Sequence, residues 1–130
     1  MSSFTSPLFV EILDTARERR VTARLLKGFR YEVGALGSGE VIEVPAGFVT
    51  DFASVPWGLW NIEPPLGDDA AKPAVVHDYL YATRGLGGRY SRAEADAIFR
   101  EALKVRGVPL WKRTLLWLAV RVGGARSWGR

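Results

Sequence analysis

Apolar residues fall in short, β-type runs over the first fifty positions and change to helical spacing after about residue 69. Residues 7–13 form a short apolar run, 21–33 carry β-branched and aromatic residues around Gly28, and Val41-Ile42-Glu43-Val44 precedes Pro45-Ala46-Gly47. Runs of this kind bounded by Gly and Pro predict strands. Residues 34–39, with three glycines and a serine, read as a hairpin connection, and Gly28 as a bulge or bend. Residues 14–20 fit either a helical turn or a charged loop.

In the second half, Asp69 is placed to cap a helix that carries Pro73 in its first turn and runs to about Thr83. The glycine-rich stretch 85–88 stops it. Ser91 and Glu94 form a capping box for a second helix that runs to about Arg106 and buries Ala95, Ile98, Phe99, Ala102 and Leu103. Gly107 ends that helix, Pro109 starts a third, and Gly123-Gly124 closes it. Trp111, Leu115, Leu118 and Val122 are expected to be the core-facing stripe of this last helix. Strands first and helices after predict an α+β fold: a small antiparallel sheet followed by three C-terminal helices. One domain is expected over 1–130, β-rich over about 1–56 and helical over about 69–124.

Composition narrows the chemistry. With no cysteine, disulfides, thiol nucleophiles and cysteine zinc sites are excluded, and one histidine excludes a multi-histidine zinc site within the chain. No apolar run approaches the roughly 18 residues of a membrane span, and the N-terminus lacks the pattern of a signal peptide. The net charge of +4 is unevenly spread: residues 101–130 hold seven Lys/Arg and one acid, whereas 1–100 hold eleven Lys/Arg and thirteen acids. A basic end on an acidic body suits an anionic partner or a solvated helix and tail.

Polar residues interrupt the apolar pattern in three places. Asp51 and Ser54 sit inside Phe48-Val49-Thr50-Asp51-Phe52-Ala53-Ser54-Val55-Pro56-Trp57, His77-Asp78 fall in mid-helix, and Asp96 borders the buried stripe of the second helix. His77 and Tyr81, four apart, share a helix face. Asp96 reaches the His77/Asp78 seam if the first two helices pack antiparallel. Buried carboxylates are costly unless paired, hydrogen-bonded or metal-bound, so this set is a candidate active site.

Two chemistries use it. In one, Asp51, His77, Asp78 and Asp96 hold a divalent ion that activates water; one imidazole among carboxylates suits Mg²⁺ or Mn²⁺, or a poor zinc site. In the other, Ser54 is the nucleophile, His77 its base, and Asp51 or Asp96 the orienting carboxylate, although no Gly-x-Ser-x-Gly elbow surrounds Ser54. The alternative is structural: Asp51 and Ser54 bonding turn amides, His77 satisfied in the core, and Asp78 pairing with Arg84 or Arg92.

The motifs Thr50-Asp51-Phe52-Ala53-Ser54-Val55-Pro56, His77-Asp78-Tyr79-Leu80-Tyr81 and Ser91-Arg92-Ala93-Glu94-Ala95-Asp96 occur in this order. From about Pro45 to the C-terminus the chain resembles a family of small proteins of tailed bacteriophages and prophages whose function is not established. The resemblance implies a phage or prophage origin and a small α+β domain, and the family's characteristic polar positions fall on Asp51, Ser54, His77, Asp78 and Asp96.

Trp57 and Trp60, with Tyr81, are candidates to wall a pocket or contact substrate. On the last helix, Trp117 lies four residues from both Arg113 and Arg121, a basic aromatic face suited to a neighbouring protein; without a nucleic-acid motif, nucleic acid is not the expected partner. The leading expectation is a phage-encoded, metal-assisted hydrolase, with virion-associated cleavage of a cell-wall polymer as one use. The competing expectation is a non-enzymatic virion protein of tail or head that binds other virion proteins through its basic C-terminal helix and tail. Either would be made in the host cytoplasm and carried in the particle.

Overall fold

Alternation of apolar and polar residues builds the first half of the structure, a computed structural model that describes residues 3–4, 7–17, 20–34, 39–50, 71–125 and 128–129. Among the described residues, six strands form two three-stranded antiparallel sheets: β1 (Ser3–Phe4), β4 (Phe29–Glu32) and β5 (Val41–Val44) in the order β1-β4-β5, and β2 (Val10–Arg17), β3 (Arg20–Leu25) and β6 (Val49–Thr50) in the order β2-β3-β6. Phe29 and Tyr31 of β4, and Ile42 and Val44 of β5, face inward while their neighbours face out. This period of two is what a sheet with one solvated face requires. β4 and β5 pair as the hairpin expected across residues 34–39. Of the segment 14–20, which fits a helical turn or charged loop by sequence, residues 14–17 instead extend β2 and Arg20 opens β3, with register shifts between Ile12 and Asp14 and between Thr15 and Arg17. Bulges of this kind let a polar stretch stay in a twisted edge ribbon.

Helices follow: α1 (Ala71–Ala82), a short turn α2 (Arg84–Gly88), α3 (Arg92–Val105) and α4 (Leu110–Gly123). The Ser91/Glu94 capping box opens α3: the Ser91 hydroxyl accepts from the Glu94 amide and the Glu94 carboxylate from the Ser91 amide. Between α1 and α3 the chain is left-handed at Arg84, Gly85, Leu86 and Gly87, with φ of 51°, 69°, 59° and 74°. At Gly85 a Cβ would stand 1.8 Å from the Tyr90 carbonyl oxygen, so only glycine fits there.

Side chains from both halves share one core, with Leu25, Tyr31, Ile42 and Val44 from the sheets meeting Val75, Val76, Leu80, Phe99 and Leu103 from the helices. Three of the four residues expected to face the core on α4 face solvent instead, and the fourth, Leu115, is half-buried. Leu116 and Val120 are buried, whereas Trp111 and Val122 are 60% and 84% exposed and Leu118 is also exposed. α4 is apolar on two sides, and its packing against α3 selects the narrower one.

Candidate active site

His77 and Tyr81 stand one turn apart on α1, and Asp96 lies in the first half of α3. As α1 runs from His77 to Tyr81, its neighbours on α3 run from Phe99 back to Arg92, so the two helices are antiparallel. That arrangement brings Asp96 to both α1 side chains. Its Oδ1 lies 2.7 Å from His77 Nε2 and accepts from the Tyr81 hydroxyl at 2.6 Å; its Oδ2 accepts from Arg121 Nη1 at 2.8 Å. Asp96 is fully buried and His77 is 2% exposed. The imidazole lies between the tilted rings of Tyr81 and Phe99, at centroid distances of 4.3 and 4.7 Å.

Electrostatics assign the protons. Burial pushes the Asp96 carboxyl up, but hydrogen bonds from His77, Tyr81 and Arg121 outweigh it and hold the group below its ordinary value, ionised at neutral pH. An ionised carboxylate only accepts, so Nε2 of His77 carries the proton. Burial dominates at His77 and lowers its pKa despite the carboxylate, so the imidazole is neutral with Nδ1 as its basic nitrogen. The Tyr81 hydroxyl is pushed up, chiefly by burial and then by its bond to Asp96.

Arg92 extends the network. Its Nε donates to the Tyr81 hydroxyl at 3.2 Å, and its Nη2 to the carbonyls of Val120 and Arg121 at 2.9 and 2.7 Å. Arg92 also borders an open cleft of about 820 Å³ between α2, the start of α3 and the C-terminal Trp128 and Gly129. Trp128 stacks edge-on against Tyr81 at 5.0 Å, and the Gly129 amide donates to the Tyr81 carbonyl.

Of the candidate residues, His77, Tyr81 and Asp96 therefore converge. Asp78, on the other side of the seam, accepts from the Thr50 hydroxyl at the end of β6. Asp51, Ser54, Trp57 and Trp60 lie outside the described residues. Arg113, Trp117 and Arg121, expected on a partner-facing surface, are each engaged within the chain: Arg113 donates to the Val108 carbonyl, Trp117 lies under the Arg100 guanidinium at 5.2 Å, and Arg121 reaches Asp96. Sequence reasoning left out Arg92 and Thr50 as members of the site. The spacing of four between Arg92 and Asp96 places both on one face of α3 and was a usable signal; nothing local marked Thr50. Among the described residues no group of three or more His, Asp or Glu stands together where it could hold a metal ion.

The family described as "protein of unknown function (DUF1353)" matches residues 23–120. The chain belongs to that family. The match spans β3 to α4 and so includes every member of the His77–Asp96 network except the C-terminal Trp128 and Gly129 and the guanidinium-bearing Arg121, which lies one residue beyond it. No characterised protein and no solved structure is significantly similar to the chain. No helix among the described residues is long and apolar enough to cross a membrane.

Proposed function

We propose that this chain is a phage- or prophage-encoded hydrolase in which His77 is the general base and Asp96 orients it. The observation that supports the reading is the 2.7 Å contact between His77 Nε2 and a carboxylate held ionised by Tyr81 and Arg121. A neutral imidazole whose Nε2 proton is committed to a carboxylate has Nδ1 as its basic nitrogen; in this reading Nδ1 takes the proton of a hydroxyl or water nucleophile that reaches it, and the carboxylate stabilises the imidazolium that forms. Ser54 is the nucleophile in the covalent version. A metal-assisted version adds Asp51 and Asp78 as ligands, because both oxygens of Asp96 are already taken by donors of the chain. Cell-wall polymer is the substrate class a virion-borne hydrolase would meet.

The test is release of soluble fragments from purified peptidoglycan, with and without Mn²⁺ or Zn²⁺, by wild type, His77→Gln and Asp96→Asn. The hydrolase reading expects turnover that falls by about a hundredfold or more in His77→Gln while the far-ultraviolet circular dichroism is kept. Equal activity in wild type and His77→Gln would reject it.

A second reading, a non-enzymatic virion protein, is favoured by the exposed apolar stripe of α4. It expects His77→Gln to enter particles normally and α4 variants to be left out.

A further inference from the structure

The cleft beside the His77–Asp96 network carries two arginines that the fold leaves without an acid. Its lining includes Arg84, Gly87, Gly88, Arg92, Glu94 and Trp128. Arg92 commits Nε and Nη2 to the Tyr81 hydroxyl and to two carbonyls of α4, all uncharged acceptors. Arg84 is exposed, with its side chain against Gly129, where a Cβ would strike it. Among the described residues neither guanidinium forms an ion pair. Glu94 is the one acid among the described lining residues, and its carboxylate accepts from the Ser91 amide in the capping box. Arg84 also stands there at a backbone cost. Its φ of 51° is left-handed, a conformation that glycine adopts freely and other residues adopt only under strain. Glycine occupies positions 85, 87 and 88 of the same turn, yet arginine occupies 84. Its guanidinium bonds no described residue that would offset the strain, and strain of this kind gathers at ligand-binding sites.

The ligand that fits is an oxyanion on a larger body. Guanidinium groups take carboxylate or phosphate through paired N–H donors, and the first turn of α3 adds the positive end of its dipole. Trp128 supplies an aromatic wall. The volume of about 820 Å³ is that of a ligand cleft, and its open side admits a segment of a polymer. We infer that this cleft is a subsite for an anionic segment of cell-wall polymer, with Arg84 and Arg92 on its carboxylate or phosphate groups and Trp128 against its sugar rings. Arg92 joins the subsite to the candidate base, because its Nε donates to the Tyr81 hydroxyl and that hydroxyl donates to the carboxylate that holds His77. The inference takes its polymer from the hydrolase reading and adds where that polymer is held.

The test is co-sedimentation of the full-length chain with insoluble peptidoglycan sacculi. Parallel samples hold sacculi with amidated carboxylates, sacculi stripped of phosphodiester-linked polymers by hydrofluoric acid, and chitin as a neutral glycan. Wild type and His77→Gln are expected to bind native sacculi alike, at least about tenfold tighter than chitin, with affinity falling as salt rises. Loss of binding on amidation assigns the carboxylates and loss on acid stripping the phosphates; either supports the subsite. Arg84→Gln and Arg84→Gly are each expected to weaken binding about tenfold or more. Arg84→Gly should also melt no lower than wild type, since glycine relieves the left-handed backbone. If it melts lower, Arg84→Gln, which keeps a side chain there, decides the matter. Equal binding to native, amidated and stripped sacculi, or binding by Arg84→Gln equal to that of wild type, would overturn the inference. Binding that depends on Arg84 without any release of fragments would retain the subsite and reject the hydrolase reading. Release of fragments that is indifferent to Arg84 would do the reverse.

Discussion

Arg121 Nη1 and Asp96 Oδ2 meet at 2.8 Å although 25 positions separate them in the chain. The contact fastens α4 to α3, and Arg92 doubles the fastening by donating to the carbonyls of Val120 and of Arg121 itself. Together they fix the rotation of α4 about its axis, which turns Leu116 and Val120 inward and leaves Trp111, Leu118 and Val122 in solvent. One buried carboxylate thus serves both His77 and the orientation of α4.

Removing that charge is expected to be costly. Asp96→Asn keeps the shape but leaves Arg121 without its counter-ion and His77 and Tyr81 with an amide in place of a carboxylate. Breaking a buried pair by taking away one partner costs on the order of 3–5 kcal/mol, and the partial exposure of Arg121 places this site at the low end. A fall in the urea midpoint at constant m-value would show it. An unchanged midpoint would mean that the network contributes nothing to stability.

Stability is expected to fall with pH in two stages. His77 has a folded pKa below its ordinary value of 6.5, so below that pH the unfolded chain takes up a proton that the folded chain refuses, and stability declines as pH drops. Asp96 also has a lowered folded pKa, so its contribution is present above the ordinary carboxylate value of 3.8 and is lost as pH falls through the lower folded value. Melting temperatures of wild type and His77→Gln between about pH 5 and 8 separate the stages, because the variant lacks the first. Parallel curves for the two proteins would contradict the assignment of a neutral His77.

Two glycines of the left-handed turn should respond differently to alanine. Gly87→Ala adds a Cβ into open space at φ +74°, so only the backbone cost of about 1–2 kcal/mol is expected. Gly85→Ala carries the same cost at φ +69° and also drives its Cβ into the Tyr90 carbonyl, so its melting temperature should fall well below that of Gly87→Ala. Equal losses would show that the turn relaxes around the clash.

The C-terminal residues close over Tyr81 through the Trp128 ring and the Gly129 amide. Deleting residues 125–130 is expected to lower stability by about 1–3 kcal/mol, from one edge-on aromatic pair and one hydrogen bond. Trp128→Ala should account for the larger part of that loss in a denaturant titration.

Local chemistry made much of this fold legible. The α3 boundaries follow from Ser91 and Glu94 at one end and Gly107 beyond the other, and all five residues expected on its buried face are buried. The β4–β5 hairpin follows from alternation around a glycine-rich connection. The extension of β2 and β3 through residues 14–17 and 20 was not readable, because a charged stretch pairs there through backbone bonds that its side chains do not announce. His77, Tyr81 and Asp96 stood out as polar residues in apolar surroundings, and an antiparallel pair of helices sufficed to join them.

What the sequence determined by itself is where the chain starts and stops its elements and which polar side chains must find partners, since both depend on neighbours a few positions away. What only the tertiary structure decided is the choice between the two apolar sides of α4 and the identity of the partners of Asp96. Either side of that helix would serve a core by hydrophobicity alone. The ion pair with Arg121 and the Arg92 bonds to α4 carbonyls join residues far apart in sequence, and those long-range bonds select the side that turns inward.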